Sequence, residues 1–102
     1  MLEISSVLLS TQKALFGVVT PHLRAVVVDY ISEGNIIYIR FYYDGEVSEE
    51  LIDLWDCAIT EIISDFGADY QFDEAIERVD FPQRIPFRGA SRSGYYAYLR
   101  KE

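Results

Sequence analysis

The sequence predicts an α+β fold: a mostly antiparallel four-stranded sheet with two helices on one face, in the order α-β-β-α-β-β. Three observations lead there. Two segments, LRAVVVDYI (23–31) and IIYIRFYY (36–43), are dense in β-branched and aromatic residues and are separated by the turn-forming SEGN. Between Ser48 and Gly67, apolar residues recur with a helical period. No repeat or low-complexity tract divides the 102 residues. That length suits one domain, 1–102, able to bury about 60–70% of the surface its unfolded chain exposes.

A first helix is expected over 5–19, capped by Ser5 or Ser6 and ended by Thr20-Pro21. Ile4, Val7, Leu8, Ala14, Leu15, Val18 and Val19 share its apolar face. Leu9 and Phe16 lie off that stripe at i, i+7, which predicts contact on a second side. In the second strand of the hairpin, Ile37, Ile39, Phe41 and Tyr43 alternate toward the core. Tyr38, Arg40 and Tyr42 point the other way and are expected to be more exposed.

The second helix is the clearest element. Ser48 caps it, and Gly67 can take the left-handed conformation that ends it. Leu51, Ile52, Leu54, Trp55, Ala58, Ile59, Ile62, Ile63 and Phe66 fill one half of its wheel. Glu49, Glu50, Asp53, Asp56, Cys57, Thr60, Glu61, Ser64 and Asp65 fill the other, an acidic strip on the order of 28 Å long. Beyond Gly67, EAIERVDF (74–81) and GYYAYLRKE (94–102) read as strands flanking an arginine loop that holds Pro82 and Pro86. Short hairpin connections favour antiparallel neighbours.

Charge is sorted along the chain. Residues 44–80 carry thirteen carboxylates and one arginine, a net of −12 against −8 for the whole protein. The arginine loop, 82–93, holds Arg84, Arg88 and Arg92 and no acid. Its arginines can fold back on the acidic surface or form a second contact region, and tyrosines 95, 96 and 98 beside it suit either an interface or sheet packing. A net negative chain disfavours nucleic acid and anionic membrane as direct ligands, since both are bound through clustered Lys and Arg. The expected partner is cationic. No apolar run approaches the roughly 20 residues of a membrane span. Glu3 stands where a secretory leader would carry basic residues. Cys57 is the only cysteine, so no intrachain disulfide forms, and a cytoplasmic location is expected.

Catalysis finds no support in these residues. Cys57 lies among carboxylates that oppose thiolate formation, and His22 follows Pro21 beyond the first helix. Asp44, Glu46, Glu49 and Glu50 lack the alternating oxygen ligands of a calcium loop, so neither metal nor cofactor is expected. The candidate partner-binding residues are Asp44, Glu46, Glu49, Glu50, Asp53 and Asp56. A solvated face accounts for Glu49 and Glu50, which favour a helix N-terminus. It does not account for the acids further along, which have no lysine at i, i+4 to offset their repulsion.

The runs ALFGVVTPHLRAVVV (14–28), FYYDGEVSEE (41–50) and TEIISDF (60–66), with the closing RKE (100–102), resemble the immunity proteins encoded beside bacterial contact-dependent growth inhibition (CDI) toxins. The resemblance implies a non-enzymatic protein that binds the C-terminal domain of its cognate toxin, with a basic nuclease as the expected partner. Under that reading the carboxylates mimic nucleic-acid charge, and the chain is a monomer or weak dimer. The alternative is a homo-oligomeric acidic module, regulatory or structural, with no toxin partner.

Overall fold

A computed structural model describes residues 2–86 and 94–102, and six elements follow one another in the expected order. They are α1 (Ile4–Ala14), β1 (Leu23–Ile31), β2 (Ile36–Tyr43), α2 (Glu49–Ser64), β3 (Gln71–Arg78) and β4 (Tyr95–Leu99). The strands form one sheet in the order β3-β2-β1-β4. β1 and β2 are an antiparallel hairpin whose turn places Gly34 and Asn35 at φ 90° and 51°, a conformation that glycine and asparagine tolerate best. β4 pairs antiparallel with the other side of β1.

The β2–β3 pair runs parallel, so the sheet is mixed. Hairpin reasoning did not anticipate this pairing. Between the two strands the chain passes through α2, and a helical crossover of that length is what parallel neighbours require. Both helices pack on the same face of the sheet. Val7 and Ala14 of α1 and Trp55, Ala58, Ile59 and Ile62 of α2 meet Leu23, Val26 and Val28 of β1 and Ile37, Ile39 and Phe41 of β2. Trp55 is fully buried, and its indole N–H donates to the Val18 carbonyl at 3.0 Å, which ties α2 to the chain leaving α1.

The second face of the sheet is covered as well, contrary to the expected exposure of Tyr38 and Tyr42. These are 5% and 1% exposed. Ile85 packs with Ala25, Val27 and Tyr42, and the Tyr42 hydroxyl donates to the Pro86 carbonyl at 3.2 Å. Arg40 is half-buried, with its guanidinium stacked 4.1 Å from the Tyr38 ring centre.

α1 is shorter than expected. It ends at Ala14 in a turn that contains Gly17 at φ 82°, and Glu3, with no side-chain cap, precedes it in place of a serine. Leu9 and Phe16 remain 61% and 85% exposed and so pack on no second layer of the described residues.

Candidate interaction surface

α2 begins where its sequence says it should. The Ser48 hydroxyl accepts the Leu51 N–H at 3.2 Å, satisfying one of the free donors at the helix start. That start fixes the rotation of the helix: Trp55, Ala58, Ile59 and Ile62 go into the core, and Glu49, Glu50, Asp53, Asp56, Cys57, Thr60 and Glu61 face outward and exposed. Glu46 is exposed just before the helix. Among the described residues, Glu46, Glu49, Glu50, Asp53 and Asp56 take part in no ion pair. Glu49, Glu50, Asp53 and Asp56 therefore share the outward face of α2, without an ion pair among the described residues, and Glu46 lies exposed just ahead of them within electrostatic reach of Arg78.

The strip continues onto the sheet. Glu74 of β3 lies near Asp56, and its carboxyl pKa is raised, first by partial burial and then by the Asp56 charge. A cation brought to this spot would relieve that repulsion. At the C-cap of α2, Asp65 is engaged within the protein, accepting the Ser10 hydroxyl at 2.6 Å.

Asp44 has a different position. One of its oxygens pairs with Arg100 at 3.1 Å, and the other accepts the Phe81 N–H at 3.1 Å. Next to it Gly45, at φ 77°, donates its N–H to Asp80 at 2.8 Å, and Asp80 pairs with Arg78 at 2.9 Å. The Asp44-Gly45 turn is thus built into the fold, as a turn leading to α2. The pKa of Asp80 is lowered, first by Arg78 and then by the Gly45 N–H.

Sequence reasoning missed the group that anchors this end of the molecule. Arg24, 3% exposed inside the apolar run of β1, makes two hydrogen bonds to Glu102, at 2.6 and 2.8 Å. Its Nη1 donates to the carbonyls of Val79 and Gln83, both at 2.8 Å. Arg100 also pairs with Glu102, at 2.8 Å. The Arg24 guanidinium, with help from Arg100, holds the Glu102 carboxyl down to about 2. A lone arginine inside LRAVVV was the signal available in the sequence, since a charge there needs a partner.

The cations on the sheet are therefore spoken for: Arg24, Arg40, Arg78 and Arg100 all pair within the protein. Arg84 lines an open groove of about 450 Å³ with Phe81, Tyr96 and Leu99. Arg88 and Arg92, with the rest of the arginine loop from 87 to 93, lie outside the described residues. Cys57 is exposed on α2, and the His22 ring nitrogen lies 3.2 Å from the Asp44 carbonyl oxygen. Among the described residues no three side chains form a metal-ligating group, and no helix is long and apolar enough to cross a membrane.

A comparison with curated proteins returns no match. The sequence does match a protein-family description over residues 4–102, nearly its whole length. That match agrees with the resemblance noted above in indicating an immunity protein, and it names a toxin system other than CDI. By this match the chain belongs to the MafI2 immunity protein family.

Proposed function

We propose that this immunity protein neutralises a cognate toxin domain by laying the outer face of α2 against a basic surface of that domain. The observation that carries the reading is the set of five exposed carboxylates, Glu46, Glu49, Glu50, Asp53 and Asp56, without ion-pair partners among the described residues. Like charges held this close cost the folded state some stability, and a complementary partner recovers it. A nuclease fits best, because its nucleic-acid groove must be basic and a row of carboxylates reproduces the charge of a phosphate backbone. Inhibition is then by occupancy, with no chemistry performed by the immunity protein, and it takes place in the cytoplasm. The CDI resemblance and the family match differ in the delivery system they name, so the proposal concerns the toxin domain and not its route.

The test is protection. Coexpression with the toxin domain of the adjacent reading frame should rescue growth and leave unrelated toxins lethal. Asp53→Lys with Asp56→Lys should abolish rescue, whereas Glu3→Lys with Glu33→Lys, outside the strip, should retain it. Equal behaviour of the two double variants refutes recognition by this face.

A further inference from the structure

The sheet has two edges of unequal character. At the β4 edge the strand is five residues long, and its register against β1 shifts between Val26 and Val27. At the β3 edge the strand is eight residues long, contains no proline, and pairs with β2 without a register shift. Among the described residues, no strand pairs with the outer side of β3. Proteins usually blunt such an edge with a bulge, a proline or a lysine, because its free N–H and C=O groups are a template for another chain. β3 carries carboxylates and a terminal arginine instead: Asp73 and Glu77, both paired with Arg40, toward one face of the sheet, and Glu74 and Arg78 toward the other.

Which backbone groups are free follows from the ladder. Gln71 donates its N–H to the Asn35 carbonyl at 2.9 Å and Val79 donates to the Tyr43 carbonyl at 2.8 Å, so these amides face β2. By alternation, those of Phe72, Glu74, Ile76 and Arg78 face outward. Phe72 and Ile76 are half-buried against the core below α2 and offer apolar contact beside that row. A second copy is a poor occupant, because pairing β3 with itself would set Asp73, Glu74 and Glu77 of two molecules against one another. Asp53 and Asp56 on α2 and Glu74 on β3 select instead for positive charge.

We propose that the outer edge of β3 receives an extended, lysine- and arginine-rich segment of the toxin as a fifth strand of the sheet, an inference that rests on the toxin-binding reading above. Main-chain hydrogen bonds would hold the segment, and the flanking carboxylates would choose its sequence.

Hydrogen exchange on the complex with a catalytically inactive variant of the toxin domain tests this directly. The amides of Phe72, Glu74, Ile76 and Arg78 should slow by about tenfold or more at saturation. Glu74→Pro removes one outward donor and spares the β2 ladder, so it should weaken binding by about five- to tenfold relative to Glu74→Gln, which keeps the N–H. Unchanged exchange at the four amides, or equal affinity of the two Glu74 variants, overturns the inference. Protection of these amides in the protein alone, together with sedimentation as a dimer, overturns it in favour of a second copy. A complex that depends on Asp53 and Asp56 yet leaves β3 exchange unaltered removes this inference and spares the proposed function; absence of any complex removes both.

Discussion

Replacing Glu102 by glutamine tests whether the charge group around Arg24 holds the last residues, Arg100 and Glu102, to the sheet. The substitution keeps the side chain's shape and one acceptor, and it leaves Arg24, 3% exposed, with a positive charge and no negative partner of its own. The Glu102 carboxyl falls from 4.5 to about 2 in the folded protein. At 1.36 kcal/mol per pH unit, a displacement of that size corresponds to about 3 kcal/mol. The Glu102 side chain is 20% exposed, so solvent screens part of the interaction. We expect a loss of about 2 kcal/mol at pH 7, or roughly 8–16 °C in Tm for a domain of this size. Urea unfolding of both proteins between pH 7 and pH 2 is the assay. Because the folded pKa is depressed, the contribution is complete above the unfolded value of 4.5 and disappears as pH falls toward about 2. The difference between wild type and variant should narrow across that window. A difference below about 0.5 kcal/mol at pH 7, the range of ordinary surface substitutions, or one that stays constant down to pH 2, would refute the reasoning.

Other outcomes follow from the surface. Association with the toxin domain should slow as salt is added, since the Debye length falls from about 30 Å at 0.01 M to about 8 Å at physiological strength; stopped-flow mixing measures it, and a salt-independent rate counts against steering by α2. Asp44→Asn should lower stability by about 1–2 kcal/mol through its lost pairing with Arg100, while the association rate with toxin stays within about twofold. A large kinetic effect with no change in the urea midpoint would return Asp44 to the interface. The double variant Cys57→Ser, His22→Asn should protect cells as well as wild type, and loss of protection in a folded variant would mean that one of these side chains has a role in inhibition.

The second helix and the hairpin were legible because each announces itself locally. The period of α2 sets its rotation, and Ser48 sets its start; the β1–β2 boundaries follow from residue type and SEGN alone. The position of β3 was not legible. An eight-residue strand after a crossover helix can join either side of a hairpin, and nothing within Gln71–Arg78 states a preference. Burial of Tyr38 and Tyr42 was equally hidden, because alternation separates two faces without saying whether the second is covered. Ile85 and Pro86, in a segment that reads as a loop, cover Tyr42, and the Arg40 guanidinium stacks on Tyr38. Asp44 shows the limit for the candidate surface. It carries the same carboxylate as Asp53, yet its partner is Arg100, 56 positions away, and pairing over such a distance leaves no local mark.

The division of α2 into two halves has a consequence for how such a protein can change over generations. Residues 49, 50, 53, 56, 57, 60 and 61 face solvent, and the core is filled from the opposite side of the same helix. Exchanges at these outer positions should alter stability by no more than about 0.5 kcal/mol. If this face meets the toxin as proposed, partner choice can drift, or be rewritten outright, while the scaffold stays intact, and an altered toxin can be answered by one or two substitutions on a helix that goes on folding as before. The freedom ends at Asp65, bound to Ser10 of α1, where a change of specificity would also loosen the packing of one helix on the other.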